Sequence, residues 1–373
     1  MRILILGGTG QISTRITQQL IARGDDVVHF NRGQRVSGFG GEPIDPRVRT
    51  SIGDRSNASD LTAKIRDAGP CDVIIDMIGF SPGDAESAIH ACAGRCTQFI
   101  FCSTVDVYAH PHPTGALPYR EDAPRAGRND YARDKVRCEE LFESAHERGV
   151  LNLTLLRPAA TYAEGAGILD SLRGRPTYLD RLRKGKAIIV HGDGQSLWCS
   201  CHADDVARAF VNACGNPAAL GRAYHVTGEE FLTWNQHHQT VARAIGAPEP
   251  KLVHIPTDVL ASLLPSATQA DAAHWTRTNF QFNNIFDNSA AQRDLGFQYT
   301  VRWEEGAARL ARWLDANNAV ADSDLDPFDD TVIAAWEAGR ATLAATSSRP
   351  AKVRGKLATS TAPKSRRVKT QAK

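Results

Sequence analysis

No run in the 373 residues approaches the roughly 18 uninterrupted apolar residues that a membrane-spanning helix requires, so no such helix is expected. The start offers no room for a targeting leader, because the strand-like RILIL begins at Arg2 and runs straight into glycines; cytoplasmic residence is the expectation. A disulfide framework is also missing. Cys71, Cys92, Cys96, Cys102, Cys138, Cys199, Cys201 and Cys214 are scattered through apolar runs, as reduced and mostly buried small side chains would be. Cys199 and Cys201 beside His202 have no second pair at a zinc-site spacing, so strand alternation explains them and no metal is expected. There is no internal repeat and no basic stripe with interleaved aromatics in the body of the chain, which speaks against a nucleic-acid-binding surface there.

What is present is an ordinary globular composition, 42% hydrophobic and 23% charged. The formal net charge of +2 conceals an asymmetry, because residues 346–373 carry nine Lys or Arg and no acid, leaving about −7 on the remainder. The tail reads as a solvated, disordered segment.

From the first residue, apolar runs alternate with amphipathic stretches, the pattern of a Rossmann-type doubly wound parallel sheet in the α/β class. RILIL, DVVHFNRG, RVRTSIGDRS, CDVIIDMIGF, TQFIFCSTVDVY and LNLTLLRP are the runs expected to hold the strands. Beyond Pro158 the alternation becomes irregular; AIIVHG, LWCSCH and RAYHVTG are expected to return to the sheet as strands, with one helix among them. The expected organisation is a dinucleotide-binding domain over 1–158, a smaller substrate-binding region interleaved with the sheet over 159–319, an acidic and helical appendage over 320–345, and the basic tail.

Three stretches carry chemistry. GGTGQIS, with Gly7, Gly8, Gly10 and Ser13, lets the backbone approach a pyrophosphate while amides at a helix start favour the anion. Ser13 stands where a glycine is usual, and it is nearly as small. Strand two ends in FNRG, placing Asn31 and Arg32 where an acid would bind the ribose hydroxyls of NAD; arginine suits a 2′-phosphate, which favours NADP. Tyr131 and Lys135 are four apart at a helix start and share a face, so an ammonium near the phenol would stabilise its ionised form and permit proton exchange. Ser103 and Thr104 leave the preceding strand as hydroxyls able to polarise a reacting oxygen, or simply as strand-end caps. His110 and His112, in the loop before Tyr131, are exposed or within reach of a substrate.

In order and spacing, GGTGQIS, FNRG, GDRS, DVIIDMIGF, FCSTVDVY, YARDK, LLRPAATY, CHADDVARA, YHVTGEE and FDNSAAQRDLGF resemble the short-chain dehydrogenase/reductase superfamily. The likeness covers roughly 1–315 and is to its extended and atypical NAD(P)-dependent epimerase/dehydratase-like members. It implies that Gly7, Thr9, Gly10, Gln11, Ile12 and Ser13 form the phosphate loop, that Asn31 and Arg32 lie at the adenosine ribose, and that Asp54 and Arg55 lie near the adenine. It further implies Tyr131 as catalytic base, Lys135 as ribose-binding lysine, Pro158 beside the nicotinamide, and Thr104, four residues before Tyr108, as the catalytic hydroxyl. His202 and Asp204 match a structural turn. Ser13, Met77-Ile78-Gly79 and the missing acid after strand two move the chain away from the UDP-sugar epimerases, towards a branch that includes chloroplast stem-loop-binding proteins.

The expected activity is hydride transfer at a carbinol or carbonyl carbon of a small polyhydroxylated or sugar-derived substrate, with NADP preferred or NAD. The alternatives are an NAD-retaining epimerase or dehydratase of a nucleotide sugar, and an RNA-binding protein on the same scaffold. Expected partners are the small-molecule substrate and a second copy in a homodimer, with no membrane and with nucleic acid reached only through the basic tail.

Overall fold

The computed structural model describes residues 1–264 and 274–347. Its first half is β1 (Arg2–Leu6), α1 (Gln11–Arg23), β2 (Asp26–Asn31), β3 (Arg49–Ile52), α2 (Ala58–Ala68), β4 (Cys71–Asp76), α3 (Pro82–Cys92), β5 (Cys96–Cys102), α4 (Asp130–Glu147) and β6 (Leu153–Pro158). These strands and Arg222–Val226 form one seven-stranded sheet in the order Arg222–Val226, β6, β5, β4, β1, β2, β3. Every pairing in it is parallel. The order reverses between β1 and β4, which opens a crevice at the carboxyl ends of those strands.

The apolar runs become strands because both faces are covered. Ile3, Leu4, Ile5 and Leu6 are buried, divided between two cores on opposite sides of the sheet. α1 and the helix Ala203–Ala213 cover one side; α2, α3 and α4 cover the other. Helix ends follow local chemistry: Gly24 closes α1 at φ 93°, and the Asn129 side chain accepts from the Ala132 amide at 2.8 Å to start α4.

Two expectations are corrected. Of the later strands, Arg222–Val226 joins the sheet, whereas Ala187–His191 pairs with Lys251–Ile255, Leu197–Trp198 with Leu232–Thr233, and Ser200–His202 with Ala160–Tyr162, each as a separate two-stranded unit. Arg222–Val226 takes the open edge of β6, and the other strands find burial in separate apolar clusters of the second half. The segment after Val320 is also more than an appendage. Asp330 pairs with the buried Arg181 at 2.6 Å, Asp326 with Arg175 at 2.5 Å, and Asp322 and Asp324 with Lys184 at 2.6 and 2.7 Å. Val332 and Ile333 are buried on the same body. The basic tail from residue 348 onward lies outside the described residues. Among the described residues, no helix is long and apolar enough to cross a membrane.

Candidate active site

A cavity of about 1180 Å³ opens at the crevice between β1 and β4, and the residues to which the resemblance gives coenzyme or catalytic roles line it. At its floor is the glycine loop. Gly7 has φ 86°, and a Cβ there would come within 2.4 Å of Ile78 Cγ2; at Gly8 it would meet the His29 ring at 2.3 Å. The loop is held from three directions: the Gly7 amide donates to the Phe30 carbonyl, the Gly8 amide to Asn31 Oδ1 at 3.0 Å, and the Gly10 amide to Ser13 Oγ at 2.8 Å. Ser13 Oγ in turn donates to the Gly7 carbonyl at 2.7 Å. The serine therefore closes the loop on itself, beyond merely fitting where glycine is usual. Gln11 and Ile12 begin α1, where the first amides have no intrahelical acceptor. They present positive ends at the cavity, which suits a pyrophosphate.

At the β2 end, Arg32 is exposed on the rim near Asp54, whose carboxyl is held below its usual range chiefly by hydrogen bonding with Ser56 and in smaller part by the Arg32 charge. Arg35, which the sequence reading missed, lines the same rim and reaches the Thr9 carbonyl at 3.3 Å. Asn31 contributes chiefly by fixing Gly8. Arg55 also lines the cavity, with its charge already engaged. Its guanidinium is buried and forked onto Asp76 at 2.9 and 2.8 Å, with Asp84 at 3.2 Å, so it offers the cavity a flank and no free charge. Its place directly after Asp54 gave no sign of this, because Asp76 and Asp84 belong to β4 and α3.

At the other end, Thr104, Tyr131, Lys135 and Pro158 converge. α4 is anchored there by Glu139, one turn beyond Lys135, which Arg157 grips twice at 2.8 Å directly beside Pro158. Lys135 is buried, donates to the Cys102 carbonyl at 2.8 Å, and lies 4.5 Å from the Phe101 ring centroid and 6.0 Å from that of Tyr131. Burial lowers its pKa. An ammonium has three protons to donate, and the Cys102 carbonyl takes one, which leaves donors suited to ribose hydroxyls.

The Tyr131 phenol differs from expectation. Its pKa is raised, first by burial and then by the Asp106 charge, while a hydrogen bond with Thr104 pulls it the other way. The nearby ammonium does not bring it down in the protein alone. Asp106 is itself unanticipated although it lies in the CSTVDVY stretch two residues after Thr104. Its amide donates to Thr104 Oγ1 at 3.2 Å, its carboxyl receives Asn279 Nδ2, and burial pushes its pKa up to about 6. Asn279, Trp275 and Trp198 complete this end from the second half.

The histidines of the loop before Tyr131 and of the CHADD turn stand away from the cavity. His110 is buried against Tyr119, its Nδ1 3.1 Å from the phenolic oxygen, and does not line the cavity, nor does His112. His202 caps the helix Ala203–Ala213 by accepting from the Asp204 amide at 3.2 Å and sits 3.4 Å from Glu164, as a scaffold group would. Cys199 and Cys201 are buried, and among the described residues no group of three or more His, Cys, Asp or Glu is placed to hold a metal.

Comparison with known proteins adds the family. A model described as the NAD dependent epimerase/dehydratase family matches residues 3–227. The chain belongs to that family. This NAD-dependent epimerase/dehydratase family enzyme is 25% identical to 2'-dehydrokanamycin reductase of Streptomyces kanamyceticus, over 87% of this chain and 88% of the relative. It is 28% identical to the chloroplast stem-loop binding protein of 41 kDa b of Arabidopsis thaliana, over 68% of this chain and 65% of the relative. In fold it is similar to UDP-glucuronic acid 4-epimerase from Bacillus cereus, solved in complex with NAD, with a TM-score of 0.65, 17% identity, and coverage of 85% and 99% of the two chains.

Proposed function

We propose that this family member is a reductase or dehydrogenase that prefers NADP and acts at a carbinol or carbonyl carbon of a small polyhydroxylated, sugar-derived substrate. The observation that carries the reading is one cavity with Arg32 on its adenosine rim and Thr104, Tyr131 and Lys135 gathered at its far end. The glycine loop and the α1 amides would hold the pyrophosphate, Arg32 and Arg35 the 2′-phosphate, and Lys135 the ribose beside the nicotinamide. The coenzyme, when bound, supplies the hydride donor or acceptor.

In this reading, Thr104 holds the reacting oxygen and Tyr131 moves the proton to or from it. The Tyr131 phenol is protonated at neutral pH, so it has a proton to deliver to an oxygen gaining charge in reduction. Similarity to 2'-dehydrokanamycin reductase supports the direction and the sugar-derived substrate class.

The deciding experiment measures the melting temperature with each of NAD, NADH, NADP and NADPH, and assays the purified protein for retained coenzyme. Selective stabilisation by NADP or NADPH is expected. Tightly retained NAD would favour the epimerase or dehydratase alternative, and no response to any of the four would refute the enzyme assignment at this site. Similarity to the stem-loop binding protein favours one second reading, RNA binding. Undiminished, salt-sensitive RNA affinity in a chain ending at Thr346 would place that activity in the body.

A further inference from the structure

The substrate end of the cavity holds more acceptor capacity than the reduction reading uses. Asp106 lines it two residues from Thr104, and the side-chain donor on its carboxyl from the second half of the chain is Asn279 Nδ2. That bond fixes the orientation of the Asn279 amide, since the reverse would set two acceptors against each other. Asn279 is 4% exposed, and its Oδ1 has no donor partner. It belongs to a π-helical turn, Thr276–Phe280, a distortion that often marks working sites. Trp198 and Trp275 line the same cavity as the pair. A carboxylate beside an acceptor lacking a donor matches a group that brings several protons and a positive charge.

We propose that Asp106 and Asn279 form a subsite for a protonated amine on the substrate, next to the carbon whose oxygen Thr104 and Tyr131 hold. The substrate class is thereby an amino sugar or related amino alcohol, an inference that rests on the oxidoreductase reading of the same cavity. The groups facing Asp106 are the Thr104 hydroxyl, the Asn279 amide, the Tyr131 phenol and the guanidinium of Arg173, which acts through space and lies 5.0 Å over the Trp275 ring. The Asp106 charge opposes ionisation of Tyr131. An ammonium seated on Asp106 cancels that opposition, so the proper substrate also eases proton exchange at the phenol.

The test uses the full chain saturated with NADP and follows tryptophan fluorescence, since Trp198 and Trp275 line the cavity. Glucosamine and N-acetylglucosamine are titrated at pH 7 and at pH 5. At pH 7 the free amine is expected to bind about tenfold more tightly than its acetylated partner, as a charge-assisted pair requires. The preference should shrink at pH 5, where a carboxyl titrating at about 6 is mostly protonated. Asp106→Asn should abolish the preference, and Asn279→Ala should reduce it, with NADP affinity unchanged in both. Equal affinity for the two sugars, or binding of neither while NADP still binds, overturns the amine subsite and leaves the oxidoreductase reading standing. Failure of the wild type to bind any coenzyme would instead strike that reading. The pH series on the wild type keeps the proposal exposed should a variant not fold.

Discussion

Ser13 Oγ donates to the Gly7 carbonyl at 2.7 Å while accepting from the Gly10 amide at 2.8 Å, so one hydroxyl ties both limbs of the phosphate loop. The residue that departs from the family pattern is thus the loop's clasp. Ser13→Ala keeps the small volume and removes both bonds; with each worth about 1 kcal/mol, coenzyme affinity should fall by up to about thirtyfold. Ser13→Leu adds bulk to a fully buried position and should cost more. Titration calorimetry with the preferred coenzyme checks both, and unchanged affinity would show that this loop does not bind it.

Tyr131→Phe keeps the ring and removes the proton. Turnover should drop by about 10²–10⁴-fold, with coenzyme affinity within about twofold of wild type. Lys135→Met should lower both, because its ammonium is assigned to the ribose and also donates to the Cys102 carbonyl. Steady-state rates paired with coenzyme titrations separate the two. A Phe variant retaining wild-type turnover would remove Tyr131 from the chemistry.

Arg32 sits on the exposed rim without a structural bond to lose. Arg32→Ala should therefore leave the melting temperature of the apoprotein unchanged and weaken NADP by about tenfold or more, with little effect on NAD. Arg35→Ala should act in the same direction. Equal losses for both coenzymes would mean that Arg32 meets the shared part of the dinucleotide.

Acid should destabilise the protein as the pH falls below about 6.5, because its buried histidines resist protonation. Burial holds His29, His110, His191 and His237 down to about 4, His225 to about 3 and His238 well below its usual value. In the unfolded chain all six would titrate near 6.5, so between that pH and about 4 the unfolded state binds more protons. Stability present above pH 6.5 is consequently lost as the pH falls through this window. His202, raised by Asp204 and Glu164 against its burial, works oppositely and loses its contribution as the pH rises through its folded value. Denaturant unfolding at pH 7, 6 and 5 should show a steady fall, and a flat profile would contradict the burial of these rings.

The parts legible in the sequence were those whose cause is local. RILIL is a buried strand because a parallel sheet covered on both faces needs continuous apolar residues, and Tyr131 and Lys135 share a face because a helix turns every 3.6 residues. Gly7, Asn129 and Gly24 act through their own backbone or the next few amides. From such signals the sheet and the cavity's lining could be read in order.

What the tertiary structure alone decided rests on groups far apart in the chain. Arg55, just after β3, meets Asp76 at the end of β4, and Asp106 meets Asn279 across 173 residues. The acidic run after Val320 reads as an appendage until Arg175, Arg181 and Lys184 are brought opposite it. Charge and hydrogen bonding act over a few ångströms of space and are indifferent to sequence distance. A sequence therefore shows which groups exist, and the fold determines which of them face one another.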